Sequence, residues 1–232
     1  MAEFLSLFLG GIDRLLPLIE ERFPELGLKK EDCSEMSWIE SVSYIAQYPS
    51  SSALDILLDR TNIFKSTFKS KSDYVREAIP GHAFKDLLKW FSGDEVETSV
   101  LTLVPYGGKM SEIAEASIPY AHRTGNLYKI SYLVSWQEQS VEVAQKHMSW
   151  IRKVYRNMAP YVSKNPREAY VSHGDLDIGK NNKFGRTSYK QASIWGTKYF
   201  KNNFDRLVRV KTSVYPSNFF RNEQSIPPLT SW

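Results

Sequence analysis

The chain of 232 residues holds a single cysteine, Cys33, so no disulfide within it is possible. That cysteine sits in Glu31-Asp32-Cys33-Ser34-Glu35. Flanking carboxylates do not suit a nucleophilic thiolate, so its expected role is structural. No apolar run reaches the ~18 residues a membrane-spanning helix needs. No Asn-x-Ser/Thr sequon, internal repeat or low-complexity segment occurs. Both common glycine-rich phosphate loops are missing, as is any cluster with metal-ligand spacing. No serine, cysteine or lysine stands in a familiar nucleophile motif. The N-terminal Met1-Ala2-Glu3-Phe4-Leu5 has no basic region before its short apolar run. It reads as a strand, not as a secretion signal.

What is present is the composition of a filled core: 42% hydrophobic, 13% aromatic and 24% charged residues. The net charge of +4 is modest. The densest basic group, Lys198, Lys201, Arg206, Arg209 and Lys211, is interleaved with Tyr199, Phe200 and Phe204. A solvated helix face with snorkelling stems explains it better than a nucleic-acid surface. Neither nucleic acid nor membrane is expected as a partner.

Residues 3–9 read as a strand closed by Gly10-Gly11. Helical spacing follows in Ile12, Leu15, Leu16, Ile19 and Phe23. Ser37 and Glu40 form a capping box before a second helix, and 48–62 is irregular. Phe64–Val75, rich in Lys and Ser, predicts a strand with one wet face. Pro80 opens a third helix through Phe91, with Gly93 beyond its end. Thr98–Pro105 predicts a strand turned by Tyr106-Gly107-Gly108, and Ile113–Arg123 shows no period. Residues 139–162 predict one long helix, on whose apolar stripe His147 reads as a packed core histidine. Asn165-Pro166 stops it. Ser188 with Gln191 caps a helix through Tyr199, and a further helix covers Phe204–Lys211. Helices alternating irregularly with strands imply an α+β fold, an antiparallel or mixed sheet with helices on one face.

Two stretches carry the chemistry. Leu127–Trp136 predicts a strand whose Tyr128, Ile130, Tyr132, Val134 and Trp136 form a wholly apolar face for the helices. Its other face sets Lys129 beside Ser131, an ammonium pointing either to bulk water or into a pocket. The second stretch, Tyr170 to Gly179, begins like a short strand and turns into a loop with His173, Asp175, Asp177, Gly174 and Gly179. Histidine at its ordinary pKa of ~6.5 can act as a base near neutrality. A lysine beside it can hold a developing oxyanion. The plain role of Asp175 and Asp177 is hydrogen bonding to loop amides. From the residues alone, Lys129, Ser131 and His173 make a polar pocket floor without fixing a reaction.

Several motifs come in a familiar order. They include Phe23-Pro24-Glu25-Leu26-Gly27-Leu28, Pro105-Tyr106-Gly107-Gly108, Ile118-Pro119-Tyr120-Ala121-His122-Arg123, Trp195-Gly196-Thr197-Lys198-Tyr199-Phe200 and Phe219-Phe220-Arg221-Asn222-Glu223-Gln224. Together they resemble the plant berberine bridge enzyme-like flavoproteins over essentially the whole chain. The resemblance implies a vanillyl-alcohol-oxidase-type fold of which this sequence is the C-terminal half. Residues 1–165 would then be most of the substrate-binding domain and 166–232 the segment that returns to a flavin domain. The implied cofactor is FAD, and the implied activity is oxidation of a small molecule (an alcohol, phenolic, alkaloid or sugar) with oxygen as acceptor. The family's flavin-linking His and Cys motifs and its secretion signal are missing, so Met1 reads as the start of a truncated product. Relatives are typically secreted or vacuolar.

The resemblance also assigns roles. The family pattern Tyr-x-Asn-Tyr-Arg-Asp-x-Asp-x-Gly places His173 where the usual proton-accepting tyrosine stands, Ser172 where the asparagine stands, and keeps Tyr170. His173 and Lys129 are thus the implied catalytic pair, and Tyr170 with Ser172 would border the flavin. Ser131 replaces a glutamine and Val104 a pocket tyrosine of the cannabinoid synthases; both would face substrate. The same replacements also suit a non-catalytic remnant, or a binding module that pairs with a separate flavin-domain partner.

Overall fold

The computed structural model describes residues 3–46, 48, 54–61 and 65–229. The chain divides into two compact units, Met1–Ile63 and Phe64–Trp232.

In the first unit, helix α1 spans Ile12–Arg22 and α2 spans Trp38–Ile45. The Glu35 carboxylate accepts the Ile12 N–H at 2.8 Å, closing the start of α1 from a distant point of the chain. The predicted capping box holds: Ser37 N–H donates to Glu40 Oε2 at 2.7 Å, and Glu40 N–H to Ser37 Oγ at 3.4 Å. One-turn 3-10 helices occupy Pro24–Leu26, Lys30–Asp32 and Leu54–Leu58. The last lies inside the stretch expected to be irregular; 49–53 and 62–64 lie outside the described residues. Residues 3–8 have no regular structure, contrary to the predicted strand. Apolar residues there have no ladder partner among the described residues, and a strand exists only by pairing. Cys33 is half-buried and its thiol lies 3.5 Å from the Lys29 carbonyl.

The second unit is built on a three-stranded antiparallel sheet. Strand β1 is Thr67–Val75, β2 is Thr98–Pro105 and β3 is Tyr128–Trp136, in the order β1-β3-β2. Helix α3, Gly81–Phe91, precedes β2; a four-residue helix α4, Lys109–Glu112, follows it. The predicted apolar face of β3 is the core: Ile130, Tyr132, Val134 and Trp136 are buried against Trp150, Ile151 and Val154 of helix α5, Val141–Asn157. His147 of α5 is a core histidine, as expected. Its Nδ1 lies 2.7 Å from the Val143 carbonyl, Nε2 accepts the Glu97 N–H at 3.2 Å, and the ring stacks on Trp136.

Two expectations about length and exposure fail here. The long helix stops at Asn157 and is followed by a 3-10 turn, Ala159–Tyr161, because Pro160 has no N–H to donate and crowds the preceding turn. The wet face expected on β1 is dry. Register sets Lys71 opposite Tyr132 and Asp73 opposite Ile130, so both point to the helix side, and both are buried. Charges are tolerable there because the C-terminal segment brings counter-charges. Asp175 lies 2.5 Å from the ammonium groups of both Lys69 and Lys71. Asp177 lies 3.0 Å from Lys71 and takes a fork of bonds from Arg152 at 3.0 and 2.7 Å. Asp73 takes a matching fork from Arg167, 2.6 Å at each oxygen, plus the Tyr132 hydroxyl at 3.0 Å. Burial pushes the Asp73 carboxyl up to about 6 against the pull of Arg167.

Residues 166–229 pack into the same unit as the sheet. Helices α6, Tyr189–Phe200, and α7, Asn203–Val214, form a second core of Trp195, Tyr199, Phe204 and Val208. Ser188 and Gln191 make the predicted capping box of α6. A Cβ on Gly196 would overlap the Phe204 ring, so glycine permits this close packing. The basic group noted in the sequence is occupied internally: Lys201 pairs with Glu115, Arg206 bonds the Ala116 carbonyl and Arg209 pairs with Asp205. Lys198 is half-buried.

Replacing Asp175 by Asn leaves the buried Lys71 ammonium with half its counter-charge. The expected loss is about 3–5 kcal/mol in denaturant unfolding, the usual cost of breaking a buried pair. A result within error of the parent would show that the pair is not what holds the segment. Arg152, by its hydrogen bonds, and then Lys71 and Lys69 hold the Asp177 carboxyl far below the usual carboxylate range. A depressed carboxylate stabilises the fold above its unfolded pKa of ~3.9, and that contribution is lost as pH falls further. Asp177→Asn is therefore expected to lower stability at pH 7 and to flatten its decline below about pH 4. Parallel parent and variant curves in acid titrations would contradict this.

Candidate functional site

The sheet's second face carries the site. In register, Tyr74 of β1, Lys129 of β3 and Val104 of β2 form one row across it; Ser72, Ser131 and Thr102 form the next. A period of 2 along each strand puts all six side chains on the side away from α5.

Residues 170–177 wrap the outer edge of β1, which has no other strand beside it among the described residues. Tyr170 N–H donates to Ser72 Oγ at 2.8 Å on the site face, while Asp175 and Asp177 reach Lys69 and Lys71 on the helix face. The wrap replaces the predicted short strand with two 3-10 turns, Val171–His173 and Leu176–Ile178. Gly174 between them sits at φ +53°, a left-handed conformation that glycine adopts without strain. Asp175 also accepts the Asp177 N–H at 3.1 Å, the loop role expected of it, beside its ion pairs.

The wrap brings Tyr170 and His173 to Lys129. The Lys129 ammonium lies 3.8 Å from the centre of the Tyr170 ring, a cation–π contact. Lys129 is 9% exposed and forms no ion pair among the described residues. Burial pulls its pKa below the ordinary lysine value, and Tyr170 partly opposes this. The His173 ring meets Tyr170 edge-to-face, with centroids 5.3 Å apart. Its Nδ1 is buried with no hydrogen-bond partner among the described residues. Burial first, and the Lys129 charge second, hold the His173 pKa below the ordinary histidine value; the Lys71 backbone and Asp175 oppose them.

Of the residues singled out from sequence, His173, Lys129 and Tyr170 thus form one cluster. Ser131 is half-buried one row away, Val104 is 37% exposed beside Lys129 in register, and Ser172 is exposed at the rim. Other members were missed as site residues. The Tyr120 ring packs edge-to-face on Tyr170, its hydroxyl lies 3.0 Å from that of Tyr74, and it also bonds Tyr106. Burial is the main cause that pushes the Tyr74 and Tyr120 hydroxyls well above the ordinary tyrosine range. Tyr74 stacks on the buried ring of His122, 4.1 Å between centroids. His122 Nδ1 faces Glu168 at 3.2 Å and its Nε2 faces the Tyr199 carbonyl at 2.9 Å. Ser72 and Tyr74 could have been found by pairing β1 with β3 in register. Nothing periodic marked Tyr120 or His122, which lie in an irregular loop.

Comparison with known proteins places this arrangement. The family model described as "Berberine and berberine like" matches residues 169–227, the segment with the edge wrap, α6 and α7. The chain is 48% identical over 233 residues to a tetrahydroberberine oxidase of Berberis wilsoniae, covering all of this chain and 43% of that protein. It is 51% identical over 227 residues to berberine bridge enzyme-like 22 of Arabidopsis thaliana, covering 97% of this chain and 42% of that one. The solved structure of BBE-like #28 from Arabidopsis thaliana superposes with a TM-score of 0.88 at 46% identity, over 96% of this chain and 46% of that one. The chain therefore spans less than half the length of the relatives it matches, aligning with their C-terminal part. By sequence, fold and the matched C-terminal segment, this chain belongs to the berberine bridge enzyme-like family.

Proposed function

We propose that the chain forms the substrate-facing part of an FAD-dependent oxidoreductase in which His173 takes a proton from the substrate and Lys129 polarises the substrate oxygen. The observation that carries this is the buried, partnerless Nδ1 of His173 in one cluster with the unpaired ammonium of Lys129. A proton acceptor and a positive charge around Tyr170 suit a hydroxyl or acidic C–H group of a small molecule. The family is flavin-dependent, and the residues present fit a flat heteroaromatic ring. Tyr170 offers a half-buried aromatic wall and Ser172 a small exposed hydroxyl at its rim. FAD held beside these residues would supply a hydride acceptor.

His173 works as a base only when neutral, and both burial and Lys129 favour the neutral ring. Lys129 gains from the same burial: a charge held in a water-poor site acts more strongly on a developing oxyanion. Ser131 and Val104, in adjacent rows, are the residues that would shape the pocket for substrate. Tyr120 backs Tyr170 edge-to-face, and Tyr74 bonds the Tyr120 hydroxyl.

A second reading has its own observation. Phe184, Ile194, Phe219 and Phe220 are 60–82% exposed, an apolar surface that a separate flavin-domain partner would cover or a non-catalytic remnant would leave bare.

The test is a chimera in which these 232 residues replace the matching part of the Arabidopsis BBE-like 28 protein. It would be assayed on alkaloid, phenolic, alcohol and sugar substrates. His173→Ala is expected to lower turnover by about 10²–10⁴-fold, the usual share of a general base. Unchanged turnover would remove the base role, and a flavin-loaded chimera inactive on every class would favour the second reading. Activity is expected to rise with pH through a limb below ~6.5, because His173 loses its proton more easily than an ordinary histidine. Lys129→Met should move that limb upward by removing the repulsion. It should also cost about 10²–10³-fold in kcat, the scale of one lost oxyanion contact. A limb that stays put in this variant would separate Lys129 from His173.

A further inference from the structure

We infer that Gln224, in the tail after α7, is a positioning residue for the His173 loop: its side-chain amide closes a hydrogen-bonded ring with Asp175, Gly179 and Tyr199. The inference takes its functional meaning from the base role of His173.

On the α6 side the loop is anchored by Ile178 in the second core, an apolar contact that fixes no backbone polar group. Its internal backbone bonds are long, 3.3 Å from Ile178 N–H to the Asp175 carbonyl and 3.4 Å from Gly179 N–H to Leu176. Gly174 and Gly179 both sit at positive φ, where a residue with a side chain would be strained. The Asp175 carboxylate is tied to β1, but an ion pair through flexible lysines fixes a charge better than it fixes a backbone.

Gln224 supplies the missing backbone constraint. Its Nε2 donates to the Asp175 carbonyl at 3.0 Å and to the Gly179 carbonyl at 2.7 Å. Its Oε1 accepts the Tyr199 hydroxyl at 3.2 Å, and that hydroxyl accepts the Asp175 N–H at 2.9 Å. One amide thus holds both ends of the 175–179 turn, with every donor and acceptor of the side chain used. The reverse orientation would set Oε1 against two carbonyl oxygens, so the ring admits one arrangement. Gln224 is itself held: its N–H donates to Asn222 Oδ1 at 2.9 Å, and Asn181 N–H donates to the Glu223 carbonyl at 2.7 Å. Asp175 stands two residues beyond His173 across the pliable Gly174, so fixing its backbone sets where the His173 ring can lie. Gln224 has no contact with Lys129, Tyr170 or His173 among the described residues, so it acts through the loop.

The test reads His173 itself. The groups around it are Lys129 from β3, the Lys71 backbone from β1, and Tyr170 and Asp175 from its own segment. Proton–carbon NMR of the four histidines would be followed through acid-to-neutral titrations of the chain, with His173 assigned by its loss in His173→Gln. Gln224→Met keeps the length and removes the hydrogen bonds. Tyr199→Phe opens the same ring while keeping the aromatic packing, and it carries the test if Gln224→Met does not fold. In both variants a loosened, better-hydrated loop should move the His173 midpoint up toward ~6.5, with His82 and His147 unmoved. A folded variant whose His173 signal titrates as in the parent, with only its thermal midpoint lowered, would overturn the inference and leave Gln224 structural. This readout needs no turnover, so a His173 without a base role and a Gln224 without a positioning role are separate results.

Discussion

The ionic clamp across the edge of β1 is the constraint on which the second unit depends. Lys69 and Lys71 point toward α5, where an unpaired ammonium would be costly. Asp175 and Asp177 arrive from a segment more than a hundred residues later and neutralise them, with Arg152 of α5 completing the cluster. To reach that face the chain must pass over the edge of β1. The passage leaves Tyr170 and His173 on the opposite face, beside Lys129. One electrostatic requirement thereby closes an exposed edge, joins the C-terminal segment to the sheet and sets Tyr170 and His173 beside Lys129.

Cost and function meet in the polar interior. Asp73, Arg167, Glu168, His122, Lys71 and Asp175 are buried or nearly so, and each has hydrogen-bonded partners. Such networks specify one arrangement because a half-satisfied alternative is far less stable. Lys129 and His173 depart from this pattern, as does Arg123, whose buried Nε also lacks a partner among the described residues. What sets Lys129 and His173 apart is that the edge wrap brings them together around Tyr170.

Legibility in the sequence followed the range of the signal. The capping boxes at Ser37 and Ser188 are local, and both stand where expected. The alternation of β3 is local too, and it correctly separated the core face from the face with Lys129 and Ser131. The strand expected at 3–9 failed because pairing is not local, and the wet face expected on β1 failed because the counter-charges lie far along the chain. Alternation placed Lys129 and Ser131 on one face, and only the β2–β3 register brought Val104 onto it. Tyr120 and His122 lie in an irregular loop with no periodic signature, and Tyr74 needed the β1–β3 register to be placed beside Lys129.

The sequence by itself determined the α+β class, the family and the core face of β3. These follow from side-chain periodicity and motif order, which need no knowledge of distant contacts. Only the tertiary structure decided that 170–177 crosses the β1 edge, that the β1 lysines are buried, and that Gln224 closes the loop from the tail. Each of these depends on charges and amides remote in sequence meeting in a water-poor interior, where partners are obligatory and are chosen by geometry.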